Sequence, residues 1–263
     1  MPPSNPLTAL VTGASRGVGK GVATALAEGG FRVFATGRSI ASANLPGGIR
    51  RIPCDHTREE ETAGVFAEVA KEGAGLELVV NAAWGGYERM TEKGVFTWTL
   101  PFWEQPAHRW QSMMDGGVRT AFMCASHAAR MMVPRRRGLI VNLSYWAAQK
   151  HLGNAIYGMA KAATDKMTRD MAHELRPHHV AVVSLYPGLV RTEAVLRAAD
   201  AGLLDLSNSE SPEFSGRVIL ALSRDPQVIG RSGQVLIAAE LALEFGVTDV
   251  DGRRPRPLTL ASA

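Results

Sequence analysis

Residues 12–19 read Thr-Gly-Ala-Ser-Arg-Gly-Val-Gly, between a short apolar run and an amphipathic one, and this order limits the fold more than any other feature of the chain. Leu7 to Val11 suits a buried strand, and Val22, Ala25 and Leu26 recur at helical spacing. Gly13, Gly17 and Gly19 permit a tight turn and close backbone approach. The helix start then turns free N–H groups and the positive end of its dipole toward phosphate oxygens. Strand, glycine turn and helix together predict a pyrophosphate site. A P-loop does not fit, because Ala14 stands where its first glycine belongs and Lys20 is followed by Gly21 instead of Ser or Thr.

Over 263 residues, short apolar runs alternate with amphipathic stretches, and no Pro- or Ser-rich linker, repeat or low-complexity block divides them. That alternation predicts an α/β fold, a Rossmann-type doubly wound sheet of seven parallel strands with helices on both faces. A single dinucleotide-binding catalytic domain over residues 1–263 is expected. The opening Met-Pro-Pro-Ser-Asn-Pro has no secretory character and no apolar run is long enough to span a bilayer, so a soluble, cytoplasmic protein is expected. Cys54 and Cys124 lie in apolar surroundings and read as buried thiols. The net charge of +4 does not make a nucleic-acid protein of this chain. Arg135 to Arg137 and Arg253, Arg254 and Arg256 are neither interleaved with aromatics nor set on a DNA-reading motif, and read as solvated surface. His173-Glu174 begins like a zinc-protease helix, but Pro177 takes the place of the second His, so no metal site is indicated.

The second apolar run, Phe31 to Ala35, ends in Thr36-Gly37-Arg38, where a dinucleotide's adenosine ribose is read. An acidic residue there would bind a free 2′-hydroxyl; Arg38, with Arg16 in the glycine turn, suits a 2′-phosphate and so NADP(H) over NAD(H). Further strands, Ile49 to Pro53, Leu76 to Val80 and Leu139 to Leu143, end at Cys54-Asp55, Asn81-Ala82-Ala83 and Ser144, each tip facing the same crevice. An amphipathic helix beyond them carries Tyr157 and Lys161 four residues apart, on one face. Ser144, Tyr157 and Lys161 converging on a dinucleotide suit hydride transfer to a carbonyl, whose developing alkoxide must be stabilised and protonated. A phenol is a sluggish acid at neutral pH, and Lys161 is expected to lower the pKa of Tyr157.

The glycine turn from Thr12 to Gly19, Asn81-Ala82-Ala83, Ser144, Tyr157-Gly-Met-Ala-Lys161 and Pro187-Gly188-Leu-Val-Arg-Thr192 resemble, in type and order, the short-chain dehydrogenase/reductase family over nearly the whole chain. Trp84-Gly-Gly-Tyr87, Pro101 to Pro106, Ser211 to Ser215 and Asp249 to Gly252 resemble one branch of it. The resemblance implies Tyr157 as general acid or base, Ser144 bonded to the substrate oxygen, and Lys161 tuning Tyr157 while holding the nicotinamide ribose. It implies Gly13, Ser15, Arg16, Gly17, Val18 and Gly19 around the phosphates and Asp55 at the adenine. Asn81, Ala82 and Ala83 would line the middle of the cofactor, and Pro187, Gly188, Val190 and Thr192 would frame the nicotinamide. A homodimer or homotetramer packed through the Ala- and Met-rich helices 110–132 and 155–175 is also implied, although Met stripes serve an internal core equally well. One departure stands out. Many family members carry an Asn in the helix before the fifth strand that orders a relay water, and Met114-Asp115-Gly116-Gly117-Val118 has none. The glycine pair can still distort the helix, and Asp115 is an alternative relay group.

Between Asn81 and Arg109, Trp84, Tyr87, Met90, Phe96, Trp98, Phe102 and Trp103 make an unusually aromatic connection. A substrate loop of about 84–106 is expected, with Trp84, and Trp146 and Tyr186 from neighbouring strand ends, touching an apolar substrate; the aromatics would equally pack on one another. A lid of about 193–214 is expected after the Pro-Gly turn. The resulting expectation is an NADPH-dependent reductase of a ketone or aldehyde, reversible as alcohol oxidation, on a bulky apolar substrate. The alternatives are a non-catalytic NADPH-binding sensor or scaffold, motivated by the absent Asn, and nucleotide-sugar chemistry, which ordinarily needs a larger C-terminal substrate domain than this chain has.

Overall fold

The computed structural model describes residues 6–73 and 75–263. In chain order the regular elements are β1 (Thr8–Thr12), α1 (Gly17–Glu28), β2 (Arg32–Gly37), β3 (Arg50–Pro53), α2 (Glu59–Lys71) and β4 (Leu78–Asn81). There follow a two-strand ribbon, β5 (Thr91–Glu92) and β6 (Val95–Phe96), one helical turn α3 (His108–Trp110), a π-helical stretch Gln111–Arg119, and α4 (Thr120–Met132). The second half has β7 (Gly138–Leu143), α5 (Ala155–Leu175), β8 (Val180–Tyr186), β9 (Leu189–Val190), α6 (Glu193–Asp200), β10 (Ser209–Glu210), α7 (Pro212–Ser223), β11 (Val235–Ile237) and α8 (Ala238–Phe245).

Seven strands form one sheet in the order β11-β8-β7-β4-β1-β2-β3, with every pair parallel. The order reverses between β1 and β4, and such a switch point opens a crevice beyond the carboxyl ends of the strands. Alternate residues of each central strand serve opposite faces. Ala9, Val11, Val33, Val80 and Val141 join one apolar cluster with α1, α7 and α8, whereas Leu10, Phe34, Val79, Ile140 and Val182 join another with α2, α4 and α5. Both faces are covered, which is why the strands read as continuous apolar runs and not as alternating ones. Burying a side chain such as Leu10 or Phe34 contributes about 1.5–3 kcal/mol.

The sequence predicts a helix over Ser215 to Ser223 and a last strand over Gly233 to Ala238, and both boundaries differ in the structure. The helix expected to start at Ser215 starts at Pro212, because the Ser211 hydroxyl caps it by accepting from the Phe214 N–H at 3.1 Å and proline suits the first helical position. The last strand is shorter than 233–238, since Gly233 lies in a turn with φ +89° and Ala238 already belongs to α8.

Candidate active site

The glycine turn is seated on the tip of β4. An added Cβ on Gly13, whose φ is +66°, would lie 2.6 Å from Ala83 Cα, and one on Gly19 would lie 2.4 Å from the Gly13 carbonyl oxygen. Thr12 locks the turn down, its hydroxyl accepting from the N–H groups of Ala82 and Ala83 at 3.1 Å. Side chains at Gly13 or Gly19 would fill the cradle.

Two protein carboxylates occupy the anion positions of this cradle. Glu193, at the start of α6, accepts from the Gly17 N–H at 3.1 Å, at the amino end of α1. Arg16 and Arg38 converge on one oxygen of Glu88, Arg16 at 3.0 Å. Asp55 accepts from the Thr57 N–H and hydroxyl at 3.0 and 2.8 Å. Burial opposes its ionisation, but those bonds and the Arg38 charge hold the carboxyl below its usual range. Asn81 donates to Asn142 at 2.8 Å and to the Ala121 carbonyl at 3.3 Å, while its own Oδ1 and the buried Ser15 hydroxyl have no partner among the described residues. A glycine cradle, orphaned polar atoms and stand-in carboxylates fit a dinucleotide phosphate ester. Gly13, Ser15, Arg16, Gly17, Val18 and Gly19 border that cradle, with Arg38 and Asp55 at one end of it, just past the tips of β2 and β3.

At the opposite end, Pro187 and Gly188 follow β8, Val190 lies in β9 and Thr192 caps α6, its hydroxyl accepting from the Val195 N–H at 3.4 Å. Behind this turn sits Glu210, 1% exposed, so close that a Cβ on Gly188 would meet its Oε2 at 2.9 Å. Burial lifts its pKa to about 7 against the opposing bonds from Gly188 and Ser215.

The fold brings Ser144, Tyr157 and Lys161 together. Ser144, just past β7, donates its hydroxyl to the Lys161 carbonyl at 3.3 Å, and the Lys161 ammonium donates to the Leu143 carbonyl at 3.2 Å. Tyr157 lies in the first turn of α5, where Asn154 caps the helix by accepting from the Tyr157 N–H at 2.9 Å and ties it to the loop of about 84–106 by donating to the Trp98 carbonyl at 3.1 Å.

The electrostatics depart from the sequence reading. Lys161 does not lower the pKa of Tyr157; burial, reinforced by the phenols of Tyr87, Tyr145 and Tyr186, pushes it well above 10. Lys161 itself is brought down by burial to about 8, against the favourable charge of Asp165. The reason lies in the loop of about 84–106. Trp84, Tyr87 and Trp98 wall in Tyr157 with ring centroids 5.8, 6.1 and 5.2 Å away, and the hydroxyls of Tyr87 and Tyr157 share a 2.9 Å hydrogen bond. Trp84 also lies over Lys161, whose nitrogen is 4.1 Å from the ring centroid, a cation–π arrangement.

Trp146 and Tyr186, expected at an open substrate rim, are instead buried at 6% and 0% exposure and stack edge to face at 5.3 Å. Tyr186 belongs to β8, every residue of which is buried, and its hydroxyl donates to Asp165. The helix distortion expected at Gly116-Gly117 is present as the π-helical stretch. Asp115 lines an outer groove with Trp110, Phe122 and Met167, and the carboxylate that acts on Lys161 is Asp165.

Sequence reasoning missed Glu88, Glu193, Asn154, Asp165 and Arg109. Asn154 had a signal, an Asn three residues before a first-turn Tyr. Asp165 had a weaker one, one helical turn beyond Lys161. Arg109, 1% exposed, donates to Gln105 and Thr97 and so pins the loop of about 84–106 from within.

A parallel sheet whose switch point carries a glycine cradle, beside a Ser–Tyr–Lys cluster, defines a dinucleotide-dependent oxidoreductase. A family model described as short chain dehydrogenase matches residues 7–201. A Mus musculus protein named dehydrogenase/reductase SDR family member 1 is 38% identical over 93% of this chain and 83% of its own length. The Homo sapiens protein of the same name is 37% identical over 95% and 85%. A solved short-chain type dehydrogenase/reductase from Mycobacterium ulcerans superposes with a TM-score of 0.76 at 29% identity, over 89% of this chain and 88% of its own. The chain belongs to the short-chain dehydrogenase/reductase family, oxidoreductases that use nicotinamide cofactors.

Proposed function

We propose that this protein is a cytoplasmic NADPH-dependent reductase of ketones or aldehydes, reversible as an alcohol dehydrogenase, acting on a bulky apolar substrate. The observation that carries the reading is the convergence of the Tyr157 phenol, the Ser144 hydroxyl and the Lys161 ammonium beside the glycine cradle. NADP(H) preference is supported by Arg16 and Arg38 meeting on a single carboxylate, an arrangement equally suited to a 2′-phosphate. The bound nicotinamide supplies a hydride. Tyr157 gives its proton to the substrate oxygen, Ser144 donates a hydrogen bond to the same oxygen, and Lys161 stabilises the phenolate left behind. Trp84 and Trp98 exclude water, and Tyr87 must release the Tyr157 hydroxyl before substrate reaches it. Exposed Phe102, Trp103, Leu203 and Leu204, on the substrate loop and the lid segment, favour an apolar substrate. Exposed Trp110 and Phe122, with Met114, Val118, Met167 and Met171, line a groove of about 690 Å³ across the two long helices, which supports a homodimer or homotetramer.

The test is turnover of a panel of apolar ketones, aldehydes and quinones with NADPH and with NADH, in wild type and Arg38→Ala. Faster turnover with NADPH, lost in the variant, supports the cofactor and the chemistry together. NADPH binding with no carbonyl reduced would favour a sensor or scaffold.

A further inference from the structure

Trp84, Tyr87 and Glu88 belong to one short segment and reach three different functional groups. The Trp84 indole is anchored: it lies over the Lys161 ammonium and against Gly117, and an added Cβ on the next residue, Gly85, would meet the Ser112 carbonyl oxygen at 2.8 Å. Gly86 then folds the chain back on that indole, so tightly that a Cβ there would lie 2.5 Å from the ring. Beyond it comes a turn closed by the Glu88 N–H, which donates to the Gly85 carbonyl at 3.1 Å. The hydroxyl of Tyr87, a residue 53% exposed, has one hydrogen-bond partner among the described residues, the Tyr157 hydroxyl at 2.9 Å. Glu88 offers a single carboxylate oxygen to both Arg16 and Arg38. The segment therefore runs from a fixed ring, through two glycines, to a phenol on the catalytic hydroxyl and a carboxylate on the arginine pair.

We propose that Tyr87 and Glu88 form a latch through which the charge at the cofactor's 2′ position decides access to Tyr157. This rests on the reading given above, in which Arg16 and Arg38 take a 2′-phosphate and Tyr157 serves a carbonyl. With Glu88 on the two arginines, the Tyr87 hydroxyl is held on Tyr157, where a substrate oxygen must come. A phosphate monoester dianion carries more charge than a carboxylate and matches the paired guanidinium groups better, so Glu88 yields its place to it and is then repelled by it. Glu88 swings out about Gly85 and Gly86, and Tyr87, its neighbour in the chain, leaves Tyr157. An uncharged 2′-hydroxyl has no means of displacing Glu88, and Tyr157 stays capped. Cofactor choice is thereby expressed twice, in affinity and again in the carbonyl step. Tyr87 and Glu88 are specificity-determining residues outside the Ser144, Tyr157 and Lys161 cluster.

Amide hydrogen exchange over residues 84–90 gives a readout that needs no turnover. It is followed in wild type and Glu88→Gln, free and saturated with adenosine 2′,5′-bisphosphate or with adenosine 5′-monophosphate, both affinities being measured by calorimetry. In wild type the bisphosphate should speed exchange several-fold, against the protection that ligands ordinarily confer, and the monophosphate should not; Glu88→Gln should exchange fast with neither present. Kinetics at saturating cofactor give the second readout. In wild type, kcat/KM for the carbonyl should be roughly two- to tenfold higher with NADPH than with NADH, the contribution of two exposed ion pairs, and in Glu88→Gln and Tyr87→Phe the two values should converge through a faster reaction with NADH. A bisphosphate that binds more tightly than the monophosphate yet leaves exchange unchanged or slowed, or a cofactor ratio that Glu88→Gln does not alter, would overturn the latch while leaving the function standing. Equal affinity for the two nucleotides would instead remove the 2′-phosphate reading, and the latch with it.

Discussion

The indole of Trp84 lies against Gly117 so closely that a Cβ on the glycine would sit 2.5 Å from the ring carbon Cζ3. The π-helical turn and the absent side chain together make the recess, and the ring seated in it covers Lys161. Gly117→Ala should therefore cost about 1–3 kcal/mol from overpacking, offset in part by about 1 kcal/mol of helix propensity. In chemical denaturation the Gly117→Ala, Trp84→Leu double variant should recover part of that loss, whereas simple additivity would mean that the two residues do not bear on each other.

Glu88 holds the two arginines in the place proposed for a 2′-phosphate. Exposed ion pairs contribute about 0.2–1 kcal/mol each, so Glu88→Gln should tighten NADPH binding by roughly two- to tenfold, more at low salt, and change NADH binding little. Fluorescence titration at two ionic strengths measures it. Equal gains for both cofactors would detach Glu88 from the 2′-phosphate position.

Asn154 serves both α5 and the loop that carries Trp98. Its replacement by Ala should lower stability by about 1–2 kcal/mol through the lost cap. It should also slow turnover, because Tyr157 lies in the turn that the cap fixes. Asn154→Asp keeps the acceptor but loses the donor to Trp98, so calorimetry should find the cap restored and kinetics should find a looser KM.

Glu210 gives the fold a pH dependence of known sign. Its carboxyl rises from 4.5 to about 7 on folding, so the folded state holds the extra proton between those values. The stability this contributes is complete below pH 4.5 and is lost as pH rises through 7. Glu210→Gln, which stays neutral, should match wild type near pH 4 and exceed it above pH 7, by on the order of 3 kcal/mol at most. Melting temperatures that run parallel across that range would show that Glu210 does not titrate there.

Local pattern made much of this molecule readable before its structure. The glycine turn, the strand tips at Asn81 and Ser144, and the helix carrying Tyr157 and Lys161 each depend on neighbours a few residues away, and each lies where its spacing places it. What escaped depends on distant partners. Glu88 is 72 residues from Arg16 and Glu193 is 176 from Gly17, and no spacing signals such pairs. The pKa of Tyr157 escaped for the same reason: the ammonium of Lys161 was visible, but the rings of Trp84, Tyr87 and Trp98 that exclude water from the phenol arrive from a loop with no periodic pattern. The strand-end position of Tyr186 predicts a cleft residue, whereas burial of the whole of β8 leaves its hydroxyl facing Asp165.

The central claim is that Tyr157 supplies the proton in NADPH-dependent carbonyl reduction. It is met most directly by single-turnover kinetics of NADPH-loaded wild type and Tyr157→Phe on one carbonyl substrate from the panel, with the NADPH dissociation constant measured for both. The expected result is a loss of about 10²–10⁴-fold in the reduction rate with cofactor affinity unchanged within about threefold. A variant that reduces the carbonyl at a rate within a few-fold of wild type would contradict it.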